Sequence, residues 1–118
     1  MEIQKRLRDG MPLNQLKKYG ICYKRHKRYP NLVLFKYHFH AEFQVFGFYF
    51  FVILEEVMVR EARGLILDQD DNWNVVAFPY GKFFNYGEEL AAEIDWDTAQ
   101  VYEKLDGCIA TLYWFGTV

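Results

Sequence analysis

Residues 63–78 read RGLILDQDDNWNVVAF, two runs of aliphatic and β-branched residues around a polar QDDN turn. Such a pair predicts a β-hairpin and commits the chain to an antiparallel sheet. Upstream, ICY and NLVLFKY have the same β-branched and aromatic character and are read as further strands. Downstream, AQVYEKL (residues 99–105) is a strand, Asp106-Gly107 a turn and CIATLYWF (108–115) its paired strand. Helices are predicted over 2–8 and 12–18. Leu13 and Leu16 share a helical face in the second, and Tyr19-Gly20 supplies its stop. Pro79 and Gly81 break the central hairpin, KFFNYGE is irregular, and EELAAEI (88–94) reads as a short helix. The segment from His38 to Val59 fits one long strand, two strands broken at Gly47, or a buried helix, and periodicity does not decide among them. The fold class expected is α+β, an antiparallel sheet with short helices.

A length of 118 residues suits one domain, and 52% hydrophobic with 19% aromatic content argues against disorder. The first ten residues lack the apolar core of a secretory signal. The longest apolar run, Val45–Leu54, has ten residues, against about 20 for a membrane-spanning helix. A cytoplasmic protein without a membrane partner is expected. Cys22 and Cys108 have neither CxxC nor zinc spacing, so both are read as reduced thiols.

Net charge is −2, unevenly spread. Residues 1–37 carry ten Lys/Arg and two acids (+8), and residues 38–118 carry four Lys/Arg and fourteen acids (−10). The basic third reads either as a solvated charged face or as a phosphate-backbone contact surface. The run YKRHKRY (Tyr23–Tyr29) interleaves cations with aromatics, as nucleic-acid contacts do. In the acidic remainder only Arg60, Arg63, Lys82 and Lys104 could serve a phosphate site.

Two constellations resemble metal sites and fail on detail. Asp68, Asp70 and Asn72 alternate like the start of a calcium loop, but Trp73 stands where Gly is required and Pro79 where Glu is required. His38, His40 and Glu42 would share a strand face, with no fourth ligand suggested. No metal ligand is assigned. Lys104, in the Lys-x-Asp-Gly of VYEKLDG, has two readings. It is a charge at the end of a strand entering an Asp-Gly turn, or a nucleophile for nucleotidyl transfer. The second requires a neutral amine, and cations on the triphosphate to stabilise the leaving pyrophosphate. Asp106 could hold a ribose hydroxyl or the amine, and Gly107 lets backbone approach a nucleotide closely. Arg63 and Lys82 begin the segments RGLILD and KFFN and supply such cations.

EARGLILD, FPYGKFFNYGE and VYEKLDG, in this order and spacing, resemble the ATP-dependent RNA ligases of the T-even phage RNA ligase type, within the covalent nucleotidyltransferase superfamily. The similarity extends to MPLNQLKKYGI and KRYPNLVLFKY, and so covers residues 1–37 and 60–115. It implies part of a nucleotidyltransferase (ATP-grasp-like ligase) domain over residues 1–118. It also implies that Lys104 takes AMP from ATP with Mg2+, that AMP passes to an RNA 5′-phosphate, and that a 3′-hydroxyl displaces AMP. By the same resemblance, Arg63 contacts phosphates or ribose and Lys82 the triphosphate. Phe84 shapes the nucleotide pocket, and Glu103, beside the nucleophile, contributes backbone contacts to adenine. Asp106 and Gly107 complete the nucleotide-binding set.

Three features depart from the family pattern. Its later motifs, an acidic strand, a Glu-Gly element and a late pair of lysines, fall beyond Val118; residues 38–59 do not look like the family; and Cys108 stands where the family has Ser. A pocket closed on one side predicts weak ATP binding, no activity of this chain alone, and self-association through uncovered edges. The competing readings are a non-enzymatic RNA-binding module using the basic third, and a degenerate gene product.

Overall fold

The computed structural model of the protein describes residues 1–38 and 57–116. Helix α1 (Glu2–Arg8) and a 3-10 helix (Leu13–Tyr19) precede strands β1 (Ile21–Arg25) and β2 (Leu32–Tyr37). Helix α2 (Val57–Glu61) leads into β3 (Arg63–Asp68) and β4 (Asn74–Ala77). All strand pairs are antiparallel, in the order β1-β2-β3-β4. The α+β class and the antiparallel sheet are as expected. His40, Glu42 and the apolar run Val45–Leu54 lie outside the described residues. No helix among the described residues is long and apolar enough to cross a membrane.

Alternation divides the sheet into two unlike faces. Ile21, Val33, Phe35, Leu65 and Leu67 point to one side. There they join Ile3 and Leu7 of α1, Leu16 of the 3-10 helix and Met58, Val59 and Ala62 in and after α2 to form the core. Tyr23 and Tyr37 extend it at partial burial. The chain leaves the 3-10 helix through Gly20 at φ +74°, the left-handed stop that Tyr19-Gly20 anticipated.

Helix α1 is too short to persist alone and is fixed by bonds from distant segments. The Glu61 carboxylate accepts the backbone N–H of Glu2 (2.9 Å) and of Ile3 (3.0 Å), satisfying two amides that the helix itself leaves open. At its other end Arg8 donates to the Asn72 carbonyl and to Asn74 Oδ1, both at 2.7 Å, and Gln4 donates to the Trp73 carbonyl at 2.9 Å. These bonds clamp the β3–β4 turn, where Asn72 (φ 49°) and Trp73 (φ 57°) are left-handed. Asp68, read as a possible calcium ligand, accepts bonds from Asn31 Nδ2 (2.8 Å) and the Asp70 amide (3.0 Å) and so shapes the same corner.

The β2–β3 ladder contains one irregularity. Phe35 faces Leu65, but the next residue of β2, Lys36, faces Arg63, leaving Gly64 as an extra residue with φ +87°. A bulge with a left-handed glycine reverses the facing of whatever follows it along the ladder. Without it Arg63 would share the core face with Leu65. With it, Arg63 joins Lys36, Leu34 and Ile66 on the opposite face, where these four residues line one cleft.

Three segments differ from expectation. Residues 88–94 form turns rather than a helix, because the Glu88 carboxylate folds back onto the Asn85 amide (2.7 Å) and side chain (3.1 Å). Residues 99–105 and 108–115 form no regular secondary structure and join no ladder, and Gly107 is a bend with φ +145°. Their side chains suit strands, but a two-stranded hairpin without a sheet to join is marginal in water.

Two substitutions test this framework. Glu61→Ala leaves two helix amides open and should cost about 1–2 kcal/mol, read by denaturant titration with faster amide exchange confined to residues 2–8. Gly64→Ala meets both a left-handed φ and a Cβ position 3.3 Å from Pro79 Cγ. It should destabilise by about 1 kcal/mol or more; wild-type stability in this variant would show that the bulge tolerates any residue.

Candidate active site

The bulge, the segment after β4 and the Lys-x-Asp-Gly stretch meet around one cleft of about 530 Å3. Arg63, Pro79, Tyr80 and Phe83 form one wall, and Lys104, Leu105, Asp106, Gly107 and Ile109 the other. Four of the seven residues singled out from sequence, Arg63, Lys104, Asp106 and Gly107, therefore share a cavity although up to 44 positions separate them.

Each wall is held differently. The KFFN segment is tied to the end of α2, where the Lys82 amide donates to the Arg60 carbonyl at 2.7 Å. Pro79 lies against Gly64, where only a residue without a Cβ leaves ordinary clearance. From this anchor the side chains alternate. Phe83 turns outward and lies under the Arg63 guanidinium, 4.6 Å from charge to ring centre, while Phe84 turns inward to the core. Lys82 Nζ sits 5.3 Å from the Phe84 ring centre. Lys82, Phe84 and Glu103 thus do not line the cleft, and its aromatics are Tyr80 and Phe83, the latter the neighbour of the one chosen from sequence. The cation–π contact holds Arg63 in place without neutralising it, so its charge stays available to an anion.

The opposing wall is more open. Lys104 Nζ is 3.0 Å from Asp106 Oδ1, and the two side chains are 82% and 96% exposed. An ion pair so exposed is held only weakly. As an ammonium the lysine has no lone pair, so attack requires parting from Asp106 and loss of a proton. Among the described residues, none beyond its two chain neighbours lies within 4 Å of where a Gly107 Cβ would stand, so the space beside that glycine is open.

A second cleft of about 540 Å3 continues from the first across the outer sheet face. It shares Arg63, Pro79 and Ile109 with the first and adds Lys36, cross-strand partner of Arg63. Sequence reasoning missed Lys36 because it confined the phosphate-binding cations to the acidic two-thirds. The signal that could have found it is Gly64 in a strand pattern, which marks a bulge and brings β2 cations beside Arg63. Among the described residues no cluster of three or more His, Cys, Asp or Glu could hold a metal ion.

Comparison with known proteins accords with this arrangement. Residues 61–117 match the family model described as RNA ligase, of the T4 type. A protein named RNA ligase from Rhodothermus phage RM378 is 35% identical over 83 residues, which is 70% of this chain and 16% of that protein. The chain therefore spans about one sixth of that relative's length. No solved structure matches the chain. The matched stretch begins at the residue that holds α1 and includes Arg63, the KFFN segment and Lys104, and through it this chain is a T4-type RNA ligase-like segment.

Proposed function

We propose that residues 1–118 are the N-terminal part of an adenylyltransferase domain whose lysine nucleophile is Lys104. The observation that supports this most directly is the shared cleft, in which Arg63 faces Lys104, Asp106 and Gly107. In this reading the Lys104 amine, freed of its proton, attacks the α-phosphorus of ATP. A P–N bond forms, the bond to the pyrophosphate oxygen breaks, and pyrophosphate departs. An oxygen of an RNA 5′-phosphate then attacks the same phosphorus, the P–N bond breaks, and the amine regains a proton. Attack by an RNA 3′-hydroxyl on the activated phosphate releases AMP and joins the strands.

The roles of this chain's residues follow from charge and position. Arg63, pinned over Phe83, would face phosphate oxygens, and Lys36 would add a second positive charge beside it. Lys82 would reach the triphosphate from the end of the KFFN segment, while Phe84 fixes that segment to the core. Gly107 leaves room for a ribose, and Asp106 exchanges its ion pair with Lys104 for a ribose hydroxyl. The Glu103 backbone borders the adenine. Mg2+ would enter on the phosphates of ATP, as it commonly does, and no residue of this chain is assigned to hold it.

Val101 is 94% and Leu112 100% exposed, and Trp114 77%. So much uncovered apolar surface around the nucleophile supports a site that needs a further layer, from more of a ligase or from a second copy. In this reading a site open on that side leaves the chain inactive alone, and cytoplasmic ATP and RNA are the substrates of the completed domain.

Incubation with Mg2+ and α-labelled ATP, followed by denaturing electrophoresis, tests the nucleophile in this chain and in a full-length relative carrying it. Covalent label is expected in the full-length protein, lost in Lys104→Ala and reduced at least about tenfold in Arg63→Ala. Label that persists in Lys104→Ala would exclude it as the acceptor.

A further inference from the structure

The groove on the outer sheet face does not stop at Arg63. Beyond the second cleft lies a third, of about 340 Å3, sharing Leu34, Ile66 and Tyr113 with it. Its outer wall is the end of β1, Lys24 and Arg25, with the start of the β1–β2 loop, His26 and Lys27. The three clefts form one path, cationic at the loop, apolar along Leu34 and Ile66, cationic again at Lys36 and Arg63, and ending at Lys104.

The basic loop is a built feature rather than a floppy charged tip. His26 Nδ1 accepts the amides of Arg28 (3.3 Å) and Tyr29 (3.0 Å), and Arg25 donates to the Pro30 carbonyl at 2.8 Å. The loop is closed by His26 N–H to the Leu32 carbonyl and Leu32 N–H to the Tyr29 carbonyl, each 2.9 Å. The His26 ring stacks on Tyr29 at 5.4 Å, and Tyr29 meets Phe115 edge-on at 5.2 Å, which anchors the segment carrying Tyr113 over the groove. Lys24 and Lys27 are exposed and form no ion pair with any described residue.

We propose that this groove is the path of single-stranded RNA: backbone phosphates rest on Lys24 and Lys27, a base stacks on Tyr113, and the strand leads its 5′-phosphate toward Arg63, Lys36 and Lys104. Alternating cations and a stacking ring over an apolar floor are what a single strand needs, since phosphates seek charge and unpaired bases seek a flat apolar partner. The choice of RNA as ligand rests on the ligase reading above; the groove itself rests on the geometry.

Fluorescence anisotropy of a short labelled single-stranded RNA bearing a 5′-phosphate, without ATP, tests the proposal. The double variant Lys24→Ala/Lys27→Ala should bind more weakly and lower the log–log salt slope by about 1.4, two phosphate contacts' worth. Tyr113→Ala should weaken binding about tenfold. The charge-matched double variant Lys17→Ala/Lys18→Ala, on exposed residues of the 3-10 helix across the sheet, should leave binding near wild type. Equal loss in both double variants, an unchanged affinity in Tyr113→Ala, or no RNA binding by the wild type at low salt would each overturn the groove. The adenylylation assay contains no RNA, so labelled Lys104 without RNA binding refutes the groove alone, and RNA binding with no label in the full-length protein refutes the nucleophile alone.

Discussion

The single extra residue in β3 governs where the positive charge of this chain meets its candidate chemistry. A strand that kept strict alternation from Leu67 to Arg63 would turn the guanidinium into the core, where an unpaired charge is expensive to bury. The left-handed turn at Gly64 puts Arg63 on the outer face, level with Lys36, and Pro79 closes over the space that a side chain would have filled. From that contact the chain runs on to the KFFN segment, which delivers Phe83 beneath Arg63. The charge, its aromatic support and the wall of the cleft all depend on a backbone detail of one glycine.

Much of the architecture was legible in the sequence because its signals are local. RGLILD and NLVLFKY carry strand character within themselves, QDDN announces its turn, and Tyr19-Gly20 marks the end of a helix. The segments misjudged are those whose state depends on something elsewhere. EELAAEI has helical composition, but Glu88 bonds backward to Asn85, and Leu90 packs against the core while Ile94 stays exposed. AQVYEKL and CIATLYWF have strand composition without an adjoining ladder among the described residues.

The site divides along the same line. Arg63, Lys104, Asp106 and Gly107 could be picked out because motif spacing marks them in one dimension. Motif spacing does not mark Lys36 and Tyr113, which the pairing of β2 with β3 and the course of the chain across the outer face bring to the groove. The choice between Phe83 and Phe84 turned on which of two adjacent rings faces inward, a matter of phase that composition does not record.

Glu61 links the helix at the start of the chain to the segment that carries the family likeness, and its position has a modular consequence. It is the first residue matched by the RNA ligase family model, yet its carboxylate serves amides at positions 2 and 3. Ile3, Leu7, Leu16, Ile21, Val33, Phe35, Met58 and Val59, eight of the eleven residues of the core cluster, come from before the matched stretch. The stretch matched by the family model and the unit of folding are therefore offset. A piece cut at the start of that match would keep Lys104 and lose the floor on which its cleft is built.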